Sequence, residues 1–143
     1  MTLPRLPLTR AVAALVGEAT GRPCGMGVLP RDSSGQPAQP PYAVLDSLTG
    51  SFSGPSLSDW AADASWLYQV TSVGQRVDQA LWLADRVREA LFGRSHTGWA
   101  NSLSVPGMKV IDRELSTEGS QVDGTAGDIV TYIQRFTLTV TPV

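Results

Sequence analysis

One cysteine and one histidine are all the thiol and imidazole chemistry that this chain holds in 143 residues. Cys24 alone excludes an internal disulfide and any cysteine-rich zinc site. A nucleophile or metal site that needs imidazole must be built on His96. That residue lies between Ser95 and Thr97, with no carboxylate or cysteine near it at ligand spacing. It reads as a solvated loop histidine, because a catalytic one needs orienting partners. Charge is scarce too: 17% of residues are Asp, Glu, Lys or Arg, against a globular average of about 25%. Such a chain is suited to hiding part of its surface against partners. A net charge of −2 supplies no basic field for gripping nucleic acid by its phosphates. No run reaches the roughly 18–20 apolar residues of a membrane span, so no membrane is expected as a partner. The opening M-T-L-P-R-L-P-L-T-R lacks the basic-then-apolar order of a signal peptide, and residence in a cytoplasm is expected.

Near-misses to catalytic motifs fail on their key residue. Gly50-Ser51-Phe52-Ser53-Gly54 has Phe52 where a nucleophile elbow needs serine. Cys24-Gly25-Met26-Gly27 lacks the third glycine of a dinucleotide-binding turn. Asp112 and Glu114 alternate onto one side of a strand, where paired carboxylates read as a wet sheet face rather than an acid/base couple. No catalytic residue, cofactor or metal is expected.

What is present is patterning. The length suits a single domain over 1–143, able to bury a core unaided. Leu8, Ala11, Val12, Leu15 and Val16 mark one face of a short helix, with Pro7 near its start and Gly17 or Gly21 near its end. Residues Cys24 to Leu29 suit a short strand weakened by glycines. The Pro/Ser/Gly/Gln stretch 30–41 cannot build a core and reads as a mobile exposed loop. Tyr42 to Leu48 alternates as a strand, with Tyr42, Val44 and Leu48 on one face together with Asp46. A second long connection, 50–63, is unusually apolar through Phe52, Leu57 and Trp60.

Ala64–Val73 is a strand with Trp66, Tyr68 and Val70 on one side. One glycine later comes an amphipathic helix from about Gln75 to Phe92, with Val77, Ala80, Leu81, Ala84, Val87 and Leu91 as its inner stripe and Gly93 as its end. A third loop covers 94–106. Met108 to Thr117 and Asp128 to Val140 are strands joined by the turn E-G-S-Q-V-D-G-T-A-G. The expected class is α+β: a mixed, mainly antiparallel sheet packed by two helices, in the order α-β-β-β-α-β-β.

Trp82 falls nearly opposite the inner stripe on a wheel of about 100° per residue. Two readings stand side by side. The ring covers its own helix and stacks under Arg86 at i+4, or it anchors a second subunit, as tryptophan often does. Trp60 and Trp99, each in a long loop, share that ambiguity. The candidate interface set is therefore Trp82, Arg86, Phe52, Leu57, Trp60 and Trp99.

Taken in order, L-T-R-A-V-A-A-L-V, P-P-Y-A-V-L-D-S-L, W-L-Y-Q-V-T-S-V-G, V-D-Q-A-L-W-L-A-D-R-V-R-E-A-L and I-V-T-Y-I-Q-R-F-T-L-T-V-T-P form a familiar series. The chain resembles the small tail-terminator (tail-completion) and minor tail proteins of long-tailed phages with non-contractile tails. In that family a strand with an aromatic and a "QVxxxG"-like run precedes a helix rich in Ala, Asp, Arg and Leu. The resemblance implies a homo-oligomer, a hexameric ring that caps the major tail-tube protein, stops its polymerisation and meets a head-completion or connector protein. DNA would pass through the ring without specific binding. The implied location is the head-proximal end of the virion tail, with assembly in the host cytoplasm. A head–tail adaptor or stopper shares parts of this plan. A small α+β enzyme or ligand-binding domain is the reading of another class.

Overall fold

A computed structural model describes residues 3–52, 63–123 and 129–143, with the backbone alone for Phe52 and residues 120–123. Its elements run α1 (Leu6–Thr20), β1 (Cys24–Met26), β2 (Tyr42–Phe52), β3 (Ala64–Gly74), α2 (Val77–Phe92), β4 (Arg94–Ser95), β5 (Gly98–Trp99), β6 (Ser104–Val105), β7 (Met108–Asp123) and β8 (Ile129–Pro142). Six strands form one sheet in the order β1-β2-β3-β8-β7-β6, and β4 pairs with β5 as a separate ribbon. Among the described residues only the β1–β2 pairing is parallel. The class is the one the sequence implies, α+β with a mixed, mainly antiparallel sheet packed by two helices, and the main elements keep the expected order; the short strands β4, β5 and β6 lie within 94–106, the stretch that reads as a loop. The sheet curls, so that its end strands β1 and β6 both reach α1.

The central strands carry the core. Trp66, Tyr68 and Val70 of β3 and Phe136, Leu138 and Val140 of β8 are buried against Leu8, Val12 and Val16 of α1 and Leu83, Val87 and Leu91 of α2. Tyr68 stacks on Phe136 at 5.6 Å between ring centroids, and Phe92 meets Phe136 edge-on. Gly21 ends α1 in the left-handed conformation (φ 69°), which a residue with a Cβ adopts only at a cost. Gly93 closes α2 differently. Its backbone is extended, and a Cβ there would lie 2.5 Å from the Glu89 carbonyl oxygen, so close approach rather than handedness requires glycine.

Several faces differ from the sequence reading. The inner stripe of α2 is Ala80, Leu83, Ala84, Val87, Ala90 and Leu91, while Val77 and Leu81 are exposed. The helix has two overlapping apolar arcs, and packing against β3 and β8 selects the one holding Leu83. In β2 the inward residues are Ala43 and Leu45, not Val44 and Asp46, because the register places Leu45 opposite buried Val70. β2 also runs on to Phe52, and β7 extends to Asp123 through residues read as a turn. There, pairing with β8 out to Asp123↔Ile129 outweighs the turn-like composition. The 30–41 stretch is exposed over 31–37, while Pro30 and Ala38 are buried, and it folds on itself: Arg31 bridges Pro37, and Asp32 Oδ1 accepts from Ser34 N, Ser34 Oγ and Gln36 N.

Candidate assembly surfaces

Three bulges decide what the sheet presents. In β7 the register slips between Val110 and Asp112 and again between Leu115 and Thr117. Each extra residue reverses the alternation. The helix-facing set is therefore Met108 and Val110, then Arg113 and Leu115, then Glu118 opposite Gln134. Asp112 and Glu114 point to the other face and are exposed, as the alternation in the sequence implied. The third bulge sets Leu48 and Thr49 of β2 against Leu67 alone, between the pairs Ser47↔Tyr68 and Gly50↔Trp66.

Arg5 occupies that gap. It precedes α1, and its Nη1 and Nη2 donate to the carbonyls of Leu48 and Leu67, both at 2.6 Å. Its guanidinium lies 4.7 Å from the Tyr68 ring centroid. Beside it, Thr9 Oγ1 and the Tyr68 hydroxyl share a hydrogen bond of 2.9 Å. Gly50 makes room at the bulge, since a Cβ would lie 2.4 Å from Trp66 Cδ1. The outer side of this junction is an open cleft of about 480 Å³ lined by Arg5, Leu6, Thr9, Met26, Leu45 and Asp46, among others.

A second arginine closes the other end of the helical layer. Arg113 is buried, and donates to Leu91 O and Asn101 O, both at 2.8 Å. Burial pushes its pKa below the ordinary guanidinium value. Asn101 Nδ2 donates to Ala90 O, so the last carbonyls of α2 are capped from the 94–106 stretch. Trp99 is half-buried between two guanidiniums, 4.4 Å from Arg94 and 4.9 Å from Arg113. This gives Trp99 a partner within its own chain.

On α2 the Arg86 guanidinium lies 5.2 Å from the Trp82 ring, the local stack that i, i+4 spacing allows. Trp82 nevertheless stays 42% exposed, beside Leu81 at 40% and Val77 at 49%. Covering by Arg86 is thus partial. Leu57 and Trp60 lie outside the described residues, and for Phe52 only the backbone place at the end of β2 is described. The structure does not bring the six candidates together: Trp82 and Arg86 share the outer face of α2, while Trp99 sits past its C-terminus.

Arg5, Arg113 and Gln134 were not singled out in the sequence. Gln134 is 1% exposed; its Nε2 donates to Ala84 O at 3.0 Å and Glu118 Oε1 at 2.8 Å. Glu118 in turn accepts from Arg88 Nε at 3.0 Å. Desolvation pushes the Glu118 carboxyl up, but hydrogen bonds from Gln134 and Arg88 and the Arg88 charge outweigh it, leaving a lowered pKa. A depressed native value means stability that is full above the unfolded value of about 4.5 and lost as pH falls through the native one. Glu118→Gln is expected to flatten the acid limb of stability below that pH, measured by urea unfolding across a pH series. An unchanged slope would show that the Glu118 contacts do not persist in solution.

Cys24 is partly buried, and desolvation, partly offset by a backbone hydrogen bond from Leu45, raises its thiol to about 11. Among the described residues no group of three or more His, Cys, Asp or Glu side chains could hold a metal ion, and no helix is long and apolar enough to cross a membrane.

No protein-family model matches this sequence, and no curated protein matches it. Among solved structures, a chain in the "Virion of native gene transfer agent (GTA) particle" is similar, with a TM-score of 0.58 at 17% sequence identity, covering 96% of this chain and 93% of that one. What the two chains share is therefore a fold, carried end to end rather than through one motif.

Proposed function

We propose that this chain is a structural subunit of a phage-type virion, acting as a tail terminator. Six copies form a ring that caps the tail tube, stops its polymerisation and joins the tail to the head connector, while DNA passes through unbound. The observation that carries this is the fold likeness to a chain of a virion particle, which spans nearly the whole of both chains. Three features of the molecule support it. The end strands β1 and β6 are short, so among the described residues they cover only part of the outer sides of β2 and β7. Exposed apolar side chains gather on α2 and around β1. The order of elements follows the series that resembles tail terminators.

The test is mass by light scattering for the protein alone, with electron microscopy of the protein added to tail tubes. A hexamer, or a monomer that forms rings at tube ends, is the expected result. A strict monomer that ignores tubes and binds a small molecule saturably would overturn the reading in favour of a ligand-binding domain. Binding to the connector without binding tubes would place it as an adaptor or stopper. In the same assay Trp82→Ala is expected to weaken ring formation at least several-fold. Intact rings with lowered monomer stability would reduce Trp82 to a helix-covering role under Arg86.

A further inference from the structure

The three bulges are not spread evenly through the sheet. The central pairing of β3 with β8 runs from Ala64↔Val140 to Gly74↔Val130 without a slip. All three slips lie in β2 and β7, and in each the extra residue is on that strand: Leu48 and Thr49 face Leu67 alone, while Ile111 and Ser116 have no opposite residue in β8. β2 and β7 are also the strands whose outer sides are partly open. Among the described residues β1 pairs with β2 only from Ala43 to Leu45, and β6 pairs with β7 only at Met108 and Lys109. An open row of N–H and C=O groups is a template for another strand, and a bulge bends and twists such a row out of register. The core does not need the extra residues of β7. Ile111 is 47% exposed, and Ser116 is exposed too. With both removed, strict alternation would still turn Val110, Arg113, Leu115 and Glu118 towards the helices and Asp112, Glu114 and Thr117 away from them. Aiming Arg113 inward therefore does not by itself require the bulge.

We propose that the β7 bulges are an edge guard: Ile111 and Ser116 are extra residues that break the outer hydrogen-bonding row, so that β7 of a second copy cannot add to the sheet there. Two further features of the strand work the same way. Arg113 is buried and points inward, and an inward charge on an outer strand obstructs a neighbour laid beside it. Lys109, Asp112 and Glu114 are exposed charges on either side of Ile111. On β2 the bulge stands just past the part that β1 covers, and Arg5 fills it by donating to the carbonyls of Leu48 and Leu67. The guard goes beyond the assembly reading above and holds whether or not that reading does. For a subunit that joins others, it closes the route to an open-ended sheet and leaves contact to side chains, of which the exposed apolar ones on α2 and around β1 are unaffected.

The experiment compares the full unaltered chain with deletion of Ile111, deletion of Ser116 and deletion of both. Circular dichroism and urea unfolding report folding, sedimentation velocity over a concentration series reports association, and hydrogen exchange locates the contact. The double deletion is expected to fold with the same β7–β8 pairs and to self-associate about tenfold or more tightly than the unaltered protein. Association should slow exchange at β7 amides between Val110 and Gly119, with each single deletion intermediate. A folded double deletion that associates no more tightly, or whose added protection lies outside β7, overturns the guard. So does loss of folding in the deletions, because Ile111 and Ser116 would then serve the fold itself. The unaltered protein gives an independent arm: if its own assemblies slow exchange along that stretch of β7, the edge is a contact and not a guarded surface. That result would leave the assembly reading standing, which the tail-tube assay decides separately.

Discussion

Arg113→Ala is expected to destabilise this protein by about 3 kcal/mol, a large part of the roughly 5–15 kcal/mol typical of a domain. The size follows from what the side chain holds. Its two hydrogen bonds go to the carbonyls of Leu91 and Asn101, and a charged donor to a backbone carbonyl contributes about 1.5–3 kcal/mol. Leu91 lies in the last turn of α2, so the cation also lies where the helix macrodipole is negative. Opposing this, burial disfavours the charge, no carboxylate pairs with it among the described residues, and its Nε has no partner. Desolvation relieved by the substitution therefore trims the loss without reversing it, because two buried carbonyls are left unmet. Urea unfolding gives the total, and hydrogen exchange locates it. Protection should fall most in 94–106, where Trp99 loses one of its two guanidinium neighbours. A global loss with unchanged relative protection in 94–106 would mean that Arg113 does not anchor that segment.

The same residue shows why part of the molecule was hidden in its sequence. β3 and β8 could be read directly, since they alternate strictly and have no bulge in their mutual pairing. β7 could not, nor could β2 from Leu48 onward, because a bulge is a property of two paired strands and leaves little trace in either alone. Without the slip after Val110, Arg113 shares the odd positions with Ile111, which is exposed. With it, Arg113 falls on the inward face, and its burial follows. Gln134 is a different case. It lies at an inward position of β8 between Tyr132 and Phe136, so its place was legible. Its partners Glu118 and Ala84 were not, being 16 and 50 residues away. The α2 stripe failed for a third reason: with Val77, Leu81, Leu83 and Ala90 all apolar, the wheel alone allows two faces. The surface left exposed by that choice, Val77, Leu81 and Trp82, belongs to the assembly question rather than the core. Low charge and the outward tryptophan point towards partners in the sequence alone, whereas the open sheet edges follow only from topology.

Arg5→Ala is expected to cost about 2–4 kcal/mol, from two charge-assisted hydrogen bonds and the loss of the cation from the Tyr68 face. Arg5→Lys separates the two contributions. An ammonium keeps the charge near Tyr68, yet it is a compact group on a flexible stem and cannot span two carbonyls as a planar fork does. It is expected to recover less than half of the loss in urea unfolding. If lysine restores full stability, charge alone suffices and the bulge needs no fork. The consequence reaches the surface as well as the core. Arg5 ties the start of α1 to the β2 bulge, and the cleft between Leu6 and Met26 has that junction as its floor. Loosening it should therefore raise hydrogen exchange at the start of α1 and around the β2 bulge under conditions where the variant is still folded.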